Sequence, residues 1–529
     1  MSFKKSLLYF YSLLLIYSCG GGGGGGGSDS IPAQAAPPPN PAPTVALSIS
    51  LAQVEINENA LITYSTTNAS SCEASGAWSG SKGTSGSEQF NSLEAGSFTF
   101  ILLCTGSGGT AEASITLQVE KYPDGINLRG SSLIFSESKN IEVAINNSGR
   151  ILAISRTDNL NRIVIQVYEW DIDKWIQKGP DIGDDLNDSA ECSYQQCTIS
   201  NLNISGDGLK VAFNYSGPES SYYETPSAAF EWDGVSWNQM TQLPSFSYIS
   251  RDFKTLVNSQ PEGMEGGNFG TGYVEVFKQN DQMEWIIQGE KIYLVLPDCD
   301  YEGPPYFGRC AGEGLQFGYK TALSSDGNTI VVSAPNARTS NPDSCDHKSM
   351  PTTITNGVTG NTWISSYCVS GAISTFDFQD GAWKQRGDNI FGILWGGRFG
   401  SNVSISGDGN RVIANGTRNL ITLRDWQGSE ILGGQSRRRG TDVVNTSVAN
   451  MIMSKNGTKA YFANQDNANS EPSNGNVGIF DLESFKFIAD IKGDDANKDL
   501  GTTIATNTSG RILATSGRDF VNVYTVVFE

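Results

Sequence analysis

Phe317-Gly-Tyr-Lys-Thr-Ala-Leu-Ser-Ser-Asp-Gly-Asn-Thr-Ile-Val-Val-Ser-Ala-Pro335 reads as a strand, a tight turn and a second strand. Ser325-Asp326-Gly327 reverses the chain, and Thr329 to Ser333 leaves the turn as a β-branched run. The same phrase recurs at Asn147-Ser148-Gly149, Gly206-Asp207-Gly208, Gly407-Asp408-Gly409, Lys455-Asn456-Gly457 and Thr508-Ser509-Gly510. A degenerate copy sits at Arg251-Asp252-Phe253-Lys254. Self-similarity at a period of roughly 50–60 residues predicts stacked four-stranded units, hence an all-β chain closed as a seven-bladed β-propeller.

Fixed offsets support the period. Phe317-Gly318 and Phe399-Gly400 precede the turn residues Asp326 and Asp408 by nine, as Leu500-Gly501 precedes Ser509. Third strands are expected at Ile163 to Trp170, Tyr273 to Phe277, Ala372 to Phe378, Val477 to Phe480 and Val521 to Val527. Trp175, Trp285 and Trp383 lead fourth strands, each four residues before a glycine (Gly179, Gly289, Gly387), whereas Trp237 lacks that glycine. These tryptophans are expected to pack between neighbouring units. Alanines just after the turns, such as Ala153, Ala212 and Ala514, are expected where an innermost strand crowds the axis. Ile126-Asn-Leu-Arg-Gly130 repeats the Trp-to-Gly offset with Ile126 in the Trp place, and the chain ends after a third strand. The early segment is therefore expected to pair antiparallel with Val521 to Val527 and remove an exposed edge.

The text from Phe317 to Pro335, with Gly371-Ala-Ile-Ser-Thr-Phe376 and Trp383, resembles the FG-GAP, integrin-α-like propeller family. The resemblance covers residues 125–529. Many members of that family hold calcium in an Asp-x-Asx-x-Asp-Gly hairpin. Leu323-Ser-Ser-Asp-Gly-Asn328 offers too few carboxylates for that, so no metal and no cofactor is expected.

Ahead of the repeats, Lys4 and Lys5 introduce an apolar run, Leu7 to Tyr17, that is too short for a membrane span. Residues 1–18 resemble a bacterial lipoprotein signal, which implies lipidation at Cys19. Gly20 in place of Asp implies the outer membrane. Gly20 to Gly27 and the Pro/Ala stretch to Pro43 make residues 19–43 a tether. Residues 44–121 read as a small β domain that resembles bacterial Ig-like spacer modules and carries Cys72 and Cys104.

Fifty-six acidic against 36 basic residues give a formal charge of −20, which argues against nucleic acid as a partner. Nine cysteines leave eight once Cys19 is set aside. The simplest pairing is local: Cys72 with Cys104, Cys192 with Cys197, Cys299 with Cys310, and Cys345 with Cys368. Disulfides need an oxidising compartment, in keeping with export.

With a single histidine, His347, triad catalysis has little to stand on, and loop acids such as Asp298, Asp300 and Glu302 read as solvated. No enzymatic activity is expected. In a four-stranded unit the first-to-second and third-to-fourth connections share one face, and here those are short. The opposite face takes every insertion: residues 180–198, 214–227, 260–271, 292–316, 336–370 and 390–398. Function tends to sit on such loops. A protein or glycan ligand is expected there, with Tyr222, Tyr223, Tyr306, Trp363 and Trp395 as its anchors and the lipid as the protein's only membrane contact. An enzyme acting on extracellular polysaccharide, or an envelope scaffold, is the competing reading.

Overall fold

A computed structural model describes residues 39–528, apart from 51, 57–58, 93, 172, 184–197, 217–225, 241–242, 263–271, 295–314, 340–353, 356–361, 364–367, 393–396, 417–419, 428–429, 439–447, 465–473, 485 and 495–497. For some strand residues, Trp363 and Cys368 among them, only the backbone is described. The described residues are all β, without a helix. The chain divides into two units between Lys121 and Tyr122.

The first unit holds two sheets. Thr44–Ile49, Ala60–Thr67 and Ser85–Phe90 form one; Gln53–Glu55, Gly109–Glu120, Gly96–Gly106, Ser71–Gly76 and Gly80–Lys82 form the other. Alternation dictates the inward face: Ala60, Ile62 and Tyr64 are buried while Leu61 and Thr63 face out. Trp78 lies edge-on to Tyr64 and Phe100, with centroids 5.8 Å away in each case, and donates from Nε1 to the Ile101 carbonyl at 3.0 Å. Cys72 and Cys104 are bonded, as the local pairing requires, and stand directly opposite each other on adjacent strands. The bridge thus staples two strands of one sheet, where antibody domains bridge two sheets. Replacing both cysteines with Ala is expected to cost this unit about 2–4 kcal/mol. Calorimetry should show its transition alone shifted.

Besides two two-stranded pairs, the second unit contains among the described residues seven antiparallel sheets, five of four strands and two of five. Their first strands are Lys139–Ile145, Thr198–Ile204, Tyr248–Ile249, Thr321–Leu323, Asn402–Ile405, Val448–Met453 and Ile504–Thr506. Each feeds a second strand through one of the recurring turns. The turn glycines adopt φ between 69° and 79° (Gly149, Gly208, Gly327, Gly409, Gly457, Gly510), a region that favours residues without a Cβ. In the degenerate third copy Phe253 takes that place at φ 58°, and its ring is 4% exposed, in a core with Leu256 and Phe246. Core packing there offsets the backbone strain.

A second regularity holds in all seven copies. The residue ahead of the turn triplet caps it, accepting the backbone N–H that opens the second strand. Ser205 accepts from Lys210 at 2.8 Å, Ser250 from Thr255 at 2.9 Å, Ser324 from Thr329 at 3.0 Å, Ser406 from Arg411 at 2.9 Å and Ser454 from Lys459 at 3.0 Å. Asn146 and Asn507 do the same for Ile151 and Ile512 at 3.0 Å. Asp326 and Asp408 are engaged within their turns by Ser324 and Ser406 and by Asn328 and Asn410. Burial would raise these two carboxyls, but the hydrogen bonds outweigh it and hold them below the usual carboxylate range.

The turns also bond to one another. Asn147 N–H donates to the Gly206 carbonyl, Gly206 to Arg251, Ser325 to Gly407, Gly407 to Lys455, Asn456 to Thr508 and Thr508 back to Asn147, at 2.6–3.1 Å. A Cβ at five of these six turn glycines would strike the preceding sheet: Gly208 against Ile151, Gly327 against Thr255, Gly409 against Thr329, Gly510 against Ser454, and Gly149 against Ile512 of the last sheet.

The fourth-strand tryptophans sit between sheets, as expected. Trp175, Trp237 and Trp383 donate from Nε1 to the carbonyls of Arg129, Lys178 and Gln288 at 3.1, 2.9 and 2.7 Å, each acceptor standing just before a glycine of the preceding sheet. Trp285 Nε1 is buried without a partner among the described residues, and it follows the copy that lacks the glycine. The early segment pairs with the last strand: Gly125–Leu128 lies antiparallel to Phe520–Val527, with Ile126 opposite Val526, and Leu133–Ile134 covers the rest of that edge. One expectation is corrected. The post-turn alanines lie on second strands, one step away from the innermost position; Ala153, Ala212, Ala414 and Ala514 are fully buried. Their size reflects packing on both faces of a sheet, not crowding at an axis.

Candidate functional site

The first strands converge on a cavity of about 230 Å³. All seven contribute to its wall, including Ile145, Ile204, Tyr248, Ala322, Ser404, Met453 and Ala505. Each first strand runs toward its turn, so Arg251 and Lys455, which follow Ile249 and Met453, stand at the turn end of this cavity. Glu142 and Lys320, ahead of Val143 and Thr321, stand toward the other end.

Arg251 and Lys455 occupy the same position of their turns. The other copies have Asn147, Gly206, Ser325, Gly407 and Thr508 there. From that position Arg251 donates through Nη1 to the carbonyl of Ile145 and, at 3.5 Å, to that of Ile204, and through Nη2 to that of Thr506 at 3.3 Å. Three different sheets therefore meet on one guanidinium. Lys455 Nζ donates to the Leu323 carbonyl at 2.9 Å and lies 5.7 Å from the Tyr248 ring centroid. Burial lowers the Arg251 guanidinium from its ordinary value, and the nearby Tyr248 phenol partly opposes that. For Tyr248, burial alone would raise the phenol. The charges of Lys455 and Arg251, with a hydrogen bond from Lys455, overcome it and leave the phenol below its ordinary value.

At the other end, Glu142 Oε2 accepts from Leu202 N–H at 2.9 Å. The Asn140–Ile141 and Asn201–Leu202 bulges, with φ 53° at Asn140 and 56° at Asn201, set that approach. Burial raises the Glu142 carboxyl, and the Leu202 N–H and Lys320 partly offset the rise. Burial lowers Lys320, against the pull of Glu142; its side chain still meets solvent, so water reaches this level among surrounding protein. Because the folded-state value of Glu142 is raised, the native state holds the proton more tightly than the unfolded chain does. Stability from this group is present at acid pH and is lost as pH rises through its folded value. Glu142→Gln is expected to raise the melting temperature at neutral pH, with the gain shrinking toward acid pH; melting curves across that range check it.

A second cavity of about 230 Å³ lies between the second and third sheets, with Asn201, Asn214, Ser247, Asn258, Ser259 and Gln260 in its wall. It is polar and internally bonded: Asn214 Nδ2 donates to the Phe246 carbonyl at 2.5 Å, and Ser227 Oγ to Asn214 Oδ1 at 2.9 Å.

Tyr222, Tyr223, Tyr306 and Trp395 lie outside the described residues, as do Cys19, Cys192, Cys197, Cys299, Cys310 and Cys345. The Trp363 backbone belongs to a short strand pair, Ile354–Thr355 with Thr362–Trp363, and the Cys368 backbone to a pair with Arg338–Thr339; the side chains of Trp363 and Cys368 are outside the description. Sequence reasoning passed over Arg251, Lys455, Tyr248, Glu142 and Lys320. A signal for two of them was present: a long cation where the other repeats carry Gly, Ser, Thr or Asn. No protein-family model matches the chain, and no curated protein matches it either.

Proposed function

We propose that residues 125–529 close into a seven-bladed β-propeller of the FG-GAP type. It would be carried behind an Ig-like spacer on a lipid anchor at Cys19, and it recognises a protein or glycan at the bacterial outer-membrane surface without catalysis. The turn-to-turn hydrogen bonds support closure, because among the described residues they join every successive pair of turns except the third and fourth, and return from Thr508 to Asn147. The observation that carries the functional reading is the asymmetry of the unit. One end is sealed by short, mutually bonded turns, while the second-to-third and sheet-to-sheet connections, which hold the insertions, leave from the opposite end. A rigid end and a variable end is the arrangement of a binding scaffold.

The purified full-length chain, offered to a glycan array and to surface extracts, tests this. Capture should weaken when Trp363 and Trp395 are both replaced by Ala, while the melting temperature stays put. Capture that survives this double change, or release of sugar products on incubation with polysaccharide, would replace the reading with another face or with an enzyme. Cys19→Ala should move the protein from membranes to soluble fractions.

A further inference from the structure

Arg251 and Lys455 bring two positive charges to one end of a cavity inside a chain whose formal charge is −20. Among the described residues neither has a carboxylate partner; they donate to the neutral carbonyls of Ile145, Ile204, Thr506 and Leu323, and Lys455 also to the Tyr248 phenol. The carboxylate of Glu142, ahead of the wall residue Val143, stands toward the far end, held by the Leu202 N–H and drawn by Lys320. Enclosed charge without a counter-charge is unfavourable, because carbonyl dipoles replace only part of the lost hydration.

Unused donors surround these cations. An ammonium has three protons, and Lys455 spends one on Leu323 and one on Tyr248. Tyr248 accepts from Lys455, which leaves its own O–H to give. Ser404 accepts from Met453 N–H at 3.1 Å and also keeps its proton for the cavity. Apolar side chains, Ile145, Ile204, Val403 and Met451, share the wall with Asn203, Thr321, Asn450 and Thr506. Converging donors in a partly apolar, charged recess make an acceptor site.

We propose that this cavity binds a compact oxyanion, a small dicarboxylate or inorganic phosphate, between Lys455, Arg251, Tyr248 and Ser404. The depressed phenol of Tyr248 reports the same positive potential. The site is separate from the long-loop surface and stands whether or not that surface binds a macromolecule. The bound anion neutralises the floor of the cavity and ties together sheets three, five and six, and through the Arg251 guanidinium the first, second and seventh.

Titration calorimetry and melting curves on the full-length chain, with malonate and phosphate as probes and chloride at equal ionic strength as control, test it. One probe is expected to bind one-to-one and to raise the melting temperature beyond chloride; which one does so identifies the source of the oxyanion. Lys455→Met should weaken that binding at least tenfold, and Tyr248→Phe severalfold. Lys384→Met, on an exposed pair with Asp380, should leave it unchanged. Without added anion Lys455→Met should melt no lower than the parent, which distinguishes an uncompensated charge from a structural one. The bound anion should also push Tyr248 ionisation to higher pH in near-ultraviolet absorbance. No stabilisation by either probe beyond chloride, or equal affinity in Lys455→Met and the parent, overturns the proposal.

Discussion

Replacing Trp237 with alanine is expected to lower the stability of the second unit by about 3–5 kcal/mol, the range for truncating a large buried aromatic. Trp237 is 8% exposed and belongs to the core shared by the first two sheets, with Ile151, Val167, Ile204 and Phe213. Its indole lies 5.3 Å from Trp232, and its Nε1 holds the Lys178 carbonyl. Gly179 follows at φ 78°, and a Cβ there would sit 2.4 Å from Trp232. The pair of rings thus fills the space that the glycine leaves, and alanine at position 237 opens a void between two sheets without a backbone able to collapse into it. Trp237→Phe keeps most of the ring and loses the hydrogen bond, so its cost should be nearer 1 kcal/mol. Denaturant unfolding of both variants checks the ranking. Equal losses would mean that the hydrogen bond, not the packing, joins these sheets.

The parts of the fold legible in the sequence are those dictated by local stereochemistry. A glycine at positive φ cannot easily be replaced, so the turns announce themselves, and the Trp-to-Gly offset records a seam between sheets. Even the pairing of Gly125–Leu128 with the last strand was readable, because Ile126 and Gly130 keep that offset. Legibility fell where packing replaced a local rule. Phe253 hides the third turn by burying an aromatic where backbone freedom is otherwise needed. The cavity was illegible for a related reason. A Lys or Arg in a polar turn reads as solvated, and only the seven-fold convergence of first strands turns Arg251 and Lys455 inward. Glu142 needed two bulges to meet the Leu202 N–H, and register shifts of that kind leave little trace in hydrophobic alternation.

The largest structural effect is expected from the closing segment. A chain starting at Tyr122 should unfold as the intact second unit does, whereas a chain starting at Ser136 should lose cooperative melting and self-associate. The segment between those starts supplies the outer strand of the seventh sheet, with Arg129 N–H on the Val523 carbonyl and Phe135 N–H on the Asp519 carbonyl, both at 2.7 Å. It also packs Tyr122, Ile126, Leu133 and Phe135 against the cores of the first and last sheets. Arg129, 4% exposed, lies with its guanidinium 5.1 Å from the Tyr122 ring and 4.6 Å from that of Trp170. Four half-buried apolar side chains contribute on the order of 5 kcal/mol. That is comparable to the whole stability of a typical domain. Their removal also bares the edge of Phe520–Val527, an apolar, β-branched strand suited to pairing with another molecule. Because the contacts are local to the segment, a peptide of residues 122–135 added in trans should restore the melting transition and the monomer. A Ser136-start chain that melts cooperatively as a monomer, with no response to the peptide, would show that the first and last sheets hold together without the strand between them.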